Sequence, residues 1–104
     1  MNITPEGVRQ IIVRRFIDLQ YEKMRESAKR LGPNYNKADV HRFIEFQVKE
    51  AFDRTGADYE RPQKGDLLKV VEILLRKAAA IGQESTNIAA YRTEALALLD
   101  RLPD

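Results

Sequence analysis

The stretch PEGVRQIIVRRFIDLQYEKMRESAKRL, residues 5–31, decides the fold predicted for this chain. Thr4 precedes it as a typical helix N-cap, and Pro5 suits the first helical position because it has no amide hydrogen to leave unpaired. The next helix stop is the Gly-Pro pair at residues 32–33. The pattern therefore predicts one helix over residues 5–31, about 40 Å long at 1.5 Å per residue.

The apolar residues of this helix form two stripes on roughly opposite sides, because each residue advances by about 100°. The first stripe consists of Val8, Ile11, Ile12, Phe16 and Leu19. The second stripe consists of Val13, Ile17, Tyr21, Met24, Ala28 and Leu31. The stripes overlap between residues 11 and 19, where one neighbouring helix cannot bury both. We therefore expect the extra apolar surface to overhang, to kink the helix or to meet another chain.

Three further helices are predicted, over residues 37–55, 66–81 and 86–101, and no segment shows the alternation typical of a strand. A turn over residues 32–36 precedes the first of these, and Ser85 or Thr86 is expected to cap the last. The apolar stripe of helix two, interrupted by Gln47, consists of Val40, Phe43, Ile44, Val48, Ala51 and Phe52.

The whole pattern, residues 1–104, predicts a single all-α domain, an up-down four-helix bundle with a long N-terminal helix. The alternative is three helices, with the last two fused into one. A lone glycine such as Gly82 costs only about 1 kcal/mol inside a helix, so it need not end helix three.

Cysteine and histidine counts remove most catalytic templates. The 104 residues include no cysteine and one histidine, His41. Disulfides, thiolate metal sites and cysteine nucleophiles are excluded, and a di-metal bundle centre needs a histidine on each of two helices. His41 lies off the apolar stripe without an obvious orienting partner, so we interpret it as an inert surface histidine. We predict no catalytic residue, no metal site, no cofactor and no enzymatic activity.

The charge and hydropathy pattern is that of a soluble protein. Lysine and arginine total 18 and aspartate and glutamate 16, which leaves a net charge of +2. The longest apolar runs are far shorter than the roughly 20 residues of a membrane span. No leader peptide is recognisable at the start of the sequence. We therefore expect a cytoplasmic protein without membrane contact.

The two-striped helix favours a protein–protein interaction or adaptor module, homodimeric through helix one. Phe46 lies off the stripe of helix two, where it either forms a small contact site or covers the extra stripe of helix one. The candidate interface residues are Ile11, Ile12, Val13, Phe16, Ile17, Leu19 and Phe46.

The alternative is a small nucleic-acid-associated protein that uses the basic residues of helix one. Phosphate contacts need lysine and arginine side chains concentrated on one surface. The candidate contacts are Arg9, Arg14, Arg15, Lys23, Arg25, Lys29 and Arg30. They do not fall on one clean face of the helix, which makes this interpretation the weaker one.

Overall fold

A computed structural model describes residues 3–31 and 36–103, without the side chains of residues 28, 30 and 31. Within these ranges the chain forms four helices and no strand. The helices are α1 (Pro5–Leu31), α2 (Lys37–Thr55), α3 (Lys64–Ala80) and α4 (Ser85–Asp100). The predicted all-α four-helix bundle is confirmed. The bounds of α1 and α2 agree with the prediction, whereas α3 begins two residues early, α4 begins one residue early, and both end one residue early.

The helices pack so that α1 contacts all three others, and α2 and α4 do not touch each other within the described chain. Consecutive helices run antiparallel, with α1 and α3 meeting across the bundle. The bundle measures 47 × 26 × 25 Å, and its long dimension reflects the 27 residues of α1.

Local chemistry accounts for the helix ends. The Thr4 hydroxyl accepts a hydrogen bond of 3.1 Å from the Gly7 amide, and Asn36 Oδ1 accepts one of 2.9 Å from the Ala38 amide. Both side chains satisfy amides that have no partner inside the helix. Of the predicted turn over residues 32–36, residues 32–35 lie outside the described residues. Gly56 ends α2 in the left-handed region at φ 71°, which disfavours any residue with a Cβ.

Gly82 separates α3 from α4, so the alternative of one fused helix is wrong. Its φ of 83° is incompatible with a continuing right-handed helix. The next residue, Gln83, is buried, and its Nε2 donates to the Leu19 carbonyl at 3.0 Å. Gln83 Oε1 accepts from the Glu84 amide at 2.9 Å, so one side chain ties the start of α4 to α1. The N-cap is Glu84 rather than Ser85 or Thr86.

Neighbouring helices cover much of both apolar stripes of α1. Phe16 packs against Tyr91 of α4 with 6.3 Å between ring centroids, and the Tyr91 hydroxyl donates to the Ile12 carbonyl at 2.9 Å. On the opposite side, Tyr21 stacks on His41 of α2 with 4.7 Å between ring centroids. The expected excess of apolar surface is therefore much smaller than the sequence pattern suggests, because α1 lies between two neighbours.

Two buried glutamines explain the interruption in the stripe of α2. Gln20 of α1 is fully buried, and its Nε2 donates to Gln47 Oε1 at 3.0 Å. Gln20 Oε1 has no hydrogen-bond partner among the described residues. A buried amide loses free energy when it lacks its partner, so this bond favours one register of α1 against α2.

Alanine substitutions at Gly56, which ends α2, and at Gly65, which lies in α3, should change the free energy of unfolding in opposite directions. Gly56→Ala should lower the free energy of unfolding by about 1 kcal/mol or more, because alanine is strained at positive φ. Gly65→Ala should raise it by roughly 0.5 kcal/mol, because the added methyl meets open space in α3 and restricts the unfolded chain. Urea denaturation followed by circular dichroism measures both, and shifts of the same sign would contradict these backbone assignments.

The contact between Glu50 of α2 and Lys77 of α3 should be visible in a titration. The 2.9 Å hydrogen bond from Lys77 Nζ and the lysine charge lower the pKa of Glu50, and the charge of Arg54 lowers it further against the effect of desolvation. A carboxyl whose pKa falls on folding contributes stability above its unfolded pKa, and this contribution is lost as pH falls through the folded pKa. In an NMR titration, Lys77→Met should raise the Glu50 pKa, whereas Lys69→Met should leave it unchanged.

Candidate functional site

A groove of about 600 Å³ lies between α1, α2 and the loop that follows α2. Its floor is apolar and its rim carries three carboxylates and one lysine. The floor residues are Val13, Ile17, Val48, Phe52 and Ala57, and the rim residues are Glu45, Lys49, Asp53, Asp58 and Tyr59. The rim therefore has a net charge of −2. Clefts with an apolar floor and a few charged groups at the edge are typical of binding sites.

Three side chains build one end of this groove. Arg9 of α1 is buried, its Nη1 donates to the Tyr59 carbonyl, and its Cζ lies 4.5 Å from the centroid of the Tyr59 ring. The Tyr59 ring in turn meets Phe52 edge-on with 4.9 Å between centroids. A desolvated guanidinium over an aromatic face gains cation–π energy, so Arg9 holds the loop against α1.

The structure divides the predicted interface residues among three locations. Ile12, Val13 and Phe16 are buried in the bundle's own core, at 1%, 8% and 0% exposure. Ile12 and Phe16 are covered by other helices of the same chain, whereas Val13 also borders the α1–α2 groove. Only Val13 and the half-buried Ile17 line the groove.

The remaining predicted interface residues lie elsewhere. Ile11 borders a small depression with Leu98 of α4, and Leu19 lies on the same α1–α4 side of the bundle. Phe46 is 60% exposed on the outer surface of α2, so it does not cover the second stripe of α1. Ile11 and Phe46 do not form one patch, because α2 and α4 have no contact in the described chain.

Phe43 corrects the predicted core of helix two. The apolar spacing assigns it to the core, but 45% of its surface is exposed. It lies one helical turn before Phe46 and one turn after the exposed Asp39 on α2. Both phenylalanines are therefore exposed on α2, whereas Gln47 takes an inward position.

The basic residues of α1 do not gather into a patch. Arg9 is enclosed behind Tyr59, Arg15 pairs with Glu94 at 3.1 Å and Lys23 pairs with Glu84 at 3.7 Å. Arg25 pairs with Glu22 at 3.5 Å. Arg14 and Lys29 are exposed, and the side chain of Arg30 lies outside the described residues. The described basic side chains of α1 therefore do not form the single cationic surface that phosphate contacts require.

A second groove, of about 490 Å³, lies between α1 and α4 and is predominantly acidic. Its carboxylates are those of Asp18, Glu22, Glu26, Glu84 and Glu94, and its cations are those of Arg15 and Lys23. Across the described part of the chain, no three histidine or carboxylate side chains are placed to hold a metal ion. Tyr91 at the floor has a raised pKa, chiefly because of burial and also because of the charge of Glu94. Its hydroxyl is therefore protonated and serves as the donor to Ile12.

Comparison with other proteins adds no relative. No protein-family model matches the chain, and neither a curated protein nor a solved structure matches it. None of the described helices is long and apolar enough to cross a membrane.

The sequence pattern does not predict that Arg9 and the loop over residues 57–63 complete the α1–α2 groove. Arg9 looks like a solvent-exposed cation beside other arginines, and the loop over residues 57–63 has no periodicity from which a position could be predicted. The only available signal was that Arg9 follows Val8 directly and lies between the two apolar stripes. Long side chains at such positions can bury their stems and reach a carbonyl.

Removing the Arg9 guanidinium should loosen the end of the groove. Arg9→Met should lower the free energy of unfolding by roughly 1–3 kcal/mol, because it deletes a buried charged hydrogen bond to the Tyr59 carbonyl. Amide hydrogen exchange of residues 57–61 should also become faster.

Arg14→Met is the matched control on the same helix, because Arg14 is exposed and its removal should change stability by no more than about 0.5 kcal/mol. Equal effects of the two substitutions on loop exchange would show that Arg9 does not hold the loop.

Proposed function

We propose that this protein is a non-enzymatic protein–protein interaction module that binds its partner in the groove between α1 and α2. The observation that supports this most directly is the groove itself: an apolar floor shared by two helices, open to solvent and edged by charge. Val13 and Ile17, two of the predicted interface residues, contribute to that floor. The absence of enzymatic activity and the cytoplasmic location stay predictions from the sequence.

The surface outside the groove adds a second apolar element on the same helix. Phe43 and Phe46 are large apolar side chains that remain substantially exposed on α2. Aromatic side chains supply a large part of the binding energy at protein interfaces. A partner seated in the groove contacts the outer surface of α2 through Lys49 and Asp53, next to Phe46. The proposal therefore includes α2 as well as α1, which differs from an interface made by helix one alone.

We do not extend the proposal to nucleic acid. Arg15, Lys23 and Arg25 are engaged with carboxylates, and the rim of the groove is itself acidic. Carboxylates facing a phosphate backbone would oppose binding through like-charge repulsion.

Site-specific photo-crosslinking in the native cell tests the proposed function. Lys49→p-benzoylphenylalanine places a photoreactive group on the exposed rim of the groove, and Lys69→p-benzoylphenylalanine places the same group on the exposed surface of α3. We expect a discrete protein adduct with the Lys49 variant and none with the Lys69 variant. The absence of any protein adduct with the Lys49 variant, or equal adducts with both variants, would overturn the proposal.

A further inference from the structure

We infer that the occupant of the α1–α2 groove is an amphipathic helix of another protein, whose edge toward α2 carries a basic, an acidic and a basic side chain one turn apart. This inference rests on the proposed function, because it specifies the partner of that same groove. Three observations support it: the order of charges along the α2 edge, the absence of ion pairs within that edge, and the apolar floor between two helices.

The α2 edge of the groove carries charges of alternating sign. Glu45, Lys49 and Asp53 all line the groove, and all three are exposed. They are four residues apart, so consecutive members are separated by about one helical turn, roughly 6 Å along the axis. The order of charges along this edge is therefore negative, positive, negative.

The three charged side chains of this edge are unpaired, in contrast to the ion pairs elsewhere on α2. None of the three forms an ion pair with a described residue. Arg42 pairs with Asp39 at 2.8 Å, and Arg54 pairs with Glu50 at 3.1 Å. The charges of the groove edge are therefore available to a partner. Opposite charges across an interface favour binding, so the complementary partner presents positive, negative and positive groups in that order.

The floor of the groove favours a helical occupant over an extended one. Val13 and Ile17 of α1 face Val48 and Phe52 of α2, and the described residues include no strand to which an extended segment could add. An extended backbone on an apolar floor leaves the amides and carbonyls on that side unpaired, whereas a helix pairs them internally. Amphipathic helices bind apolar grooves through side chains that recur about one turn apart.

A helix also matches the order of charges, because it repeats with the same spacing as α2. Side chains at positions i, i+4 and i+8 of the occupant are again roughly 6 Å apart along the axis. The order basic, acidic, basic reads the same in both directions, so it fits an occupant parallel or antiparallel to α2. Across the groove, Arg14 next to Val13 is exposed and forms no ion pair with a described residue. An acidic side chain on the other edge of the occupant complements it.

Two synthetic peptides of identical composition test this inference. Each is an amphipathic helix of about 20 residues, long enough to be helical, with leucines on one face and a glutamate on one edge. The row at i, i+4 and i+8 on the other edge reads Arg-Glu-Arg in the first peptide and Arg-Arg-Glu in the second. Fluorescence anisotropy at low salt measures binding to the wild-type chain. The first peptide should bind about tenfold more tightly, because its three charge pairs with the α2 edge are attractive, whereas two of the three are repulsive for the second.

Lys49→Glu should remove this preference, because each peptide then has two attractive pairs and one repulsive pair with the α2 edge. Lys69→Glu is the matched control, since it reverses an exposed lysine on α3 outside the groove. The control should keep the tenfold preference, and circular dichroism should show both variants folded.

Equal affinities of the two peptides for the wild-type chain, no binding of either peptide, or a preference that survives Lys49→Glu would overturn the inference. The proposed function is judged separately by the adduct of the Lys49 photo-crosslinking variant. A discrete protein adduct keeps the proposed function in place even where the peptides bind equally. An adduct with a second copy of this chain would overturn the inference and leave the proposed function in place.

Discussion

The architecture depends on one constraint. α1 carries apolar side chains on two sides, and other helices must bury the side chains of both sides. A single neighbouring helix covers only one stripe of an amphipathic helix, so α1 has to lie between two of them. Phe16 and Ile12 meet α4 through Tyr91, and Tyr21 meets α2 through His41. Placing α2 and α4 on opposite sides of α1 leaves α3 to close the bundle. Between the described residues of α2 and α4, the lack of contact follows from this arrangement.

A small number of buried polar groups then select the register within this apolar frame. The Gln20–Gln47 pair positions α1 against α2, Gln83 positions the start of α4 against α1, and Tyr91 donates across the same seam. Apolar packing alone tolerates small shifts of one helix along another, but a buried amide or hydroxyl that loses its partner costs roughly 1–3 kcal/mol. These contacts therefore penalise shifted packings more than they add to the overall stability.

The candidate site arises because the cover that α2 provides for α1 is incomplete. Val13 is nearly buried and Ile17 only half buried, and the space above them is bordered by α2 and by the loop held by Arg9. The two-striped pattern correctly indicated that this side of α1 has apolar surface to spare, and two of the seven predicted interface residues line the groove. It overstated the amount, because the pattern alone does not show that Ile12 and Phe16 are enclosed by α4. The exposure of Phe46 agrees with its position off the stripe of α2. The exposure of Phe43 could not be predicted, because Phe43 fits that stripe.

The sequence by itself determined the four helices, most of their ends and the absence of cysteine chemistry. These properties depend on residues close in the chain: the caps at Thr4 and Asn36, the left-handed glycines at Gly56 and Gly82, and the 3.6-residue periodicity. Only the tertiary structure decided which apolar and charged groups remain at the surface. Arg9 is buried because Tyr59 packs on it from a loop fifty residues away, and Phe43 stays 45% exposed although it fits the apolar stripe of α2. Helical periodicity specifies the direction of a side chain around its own axis, whereas burial depends on which other helix occupies that direction.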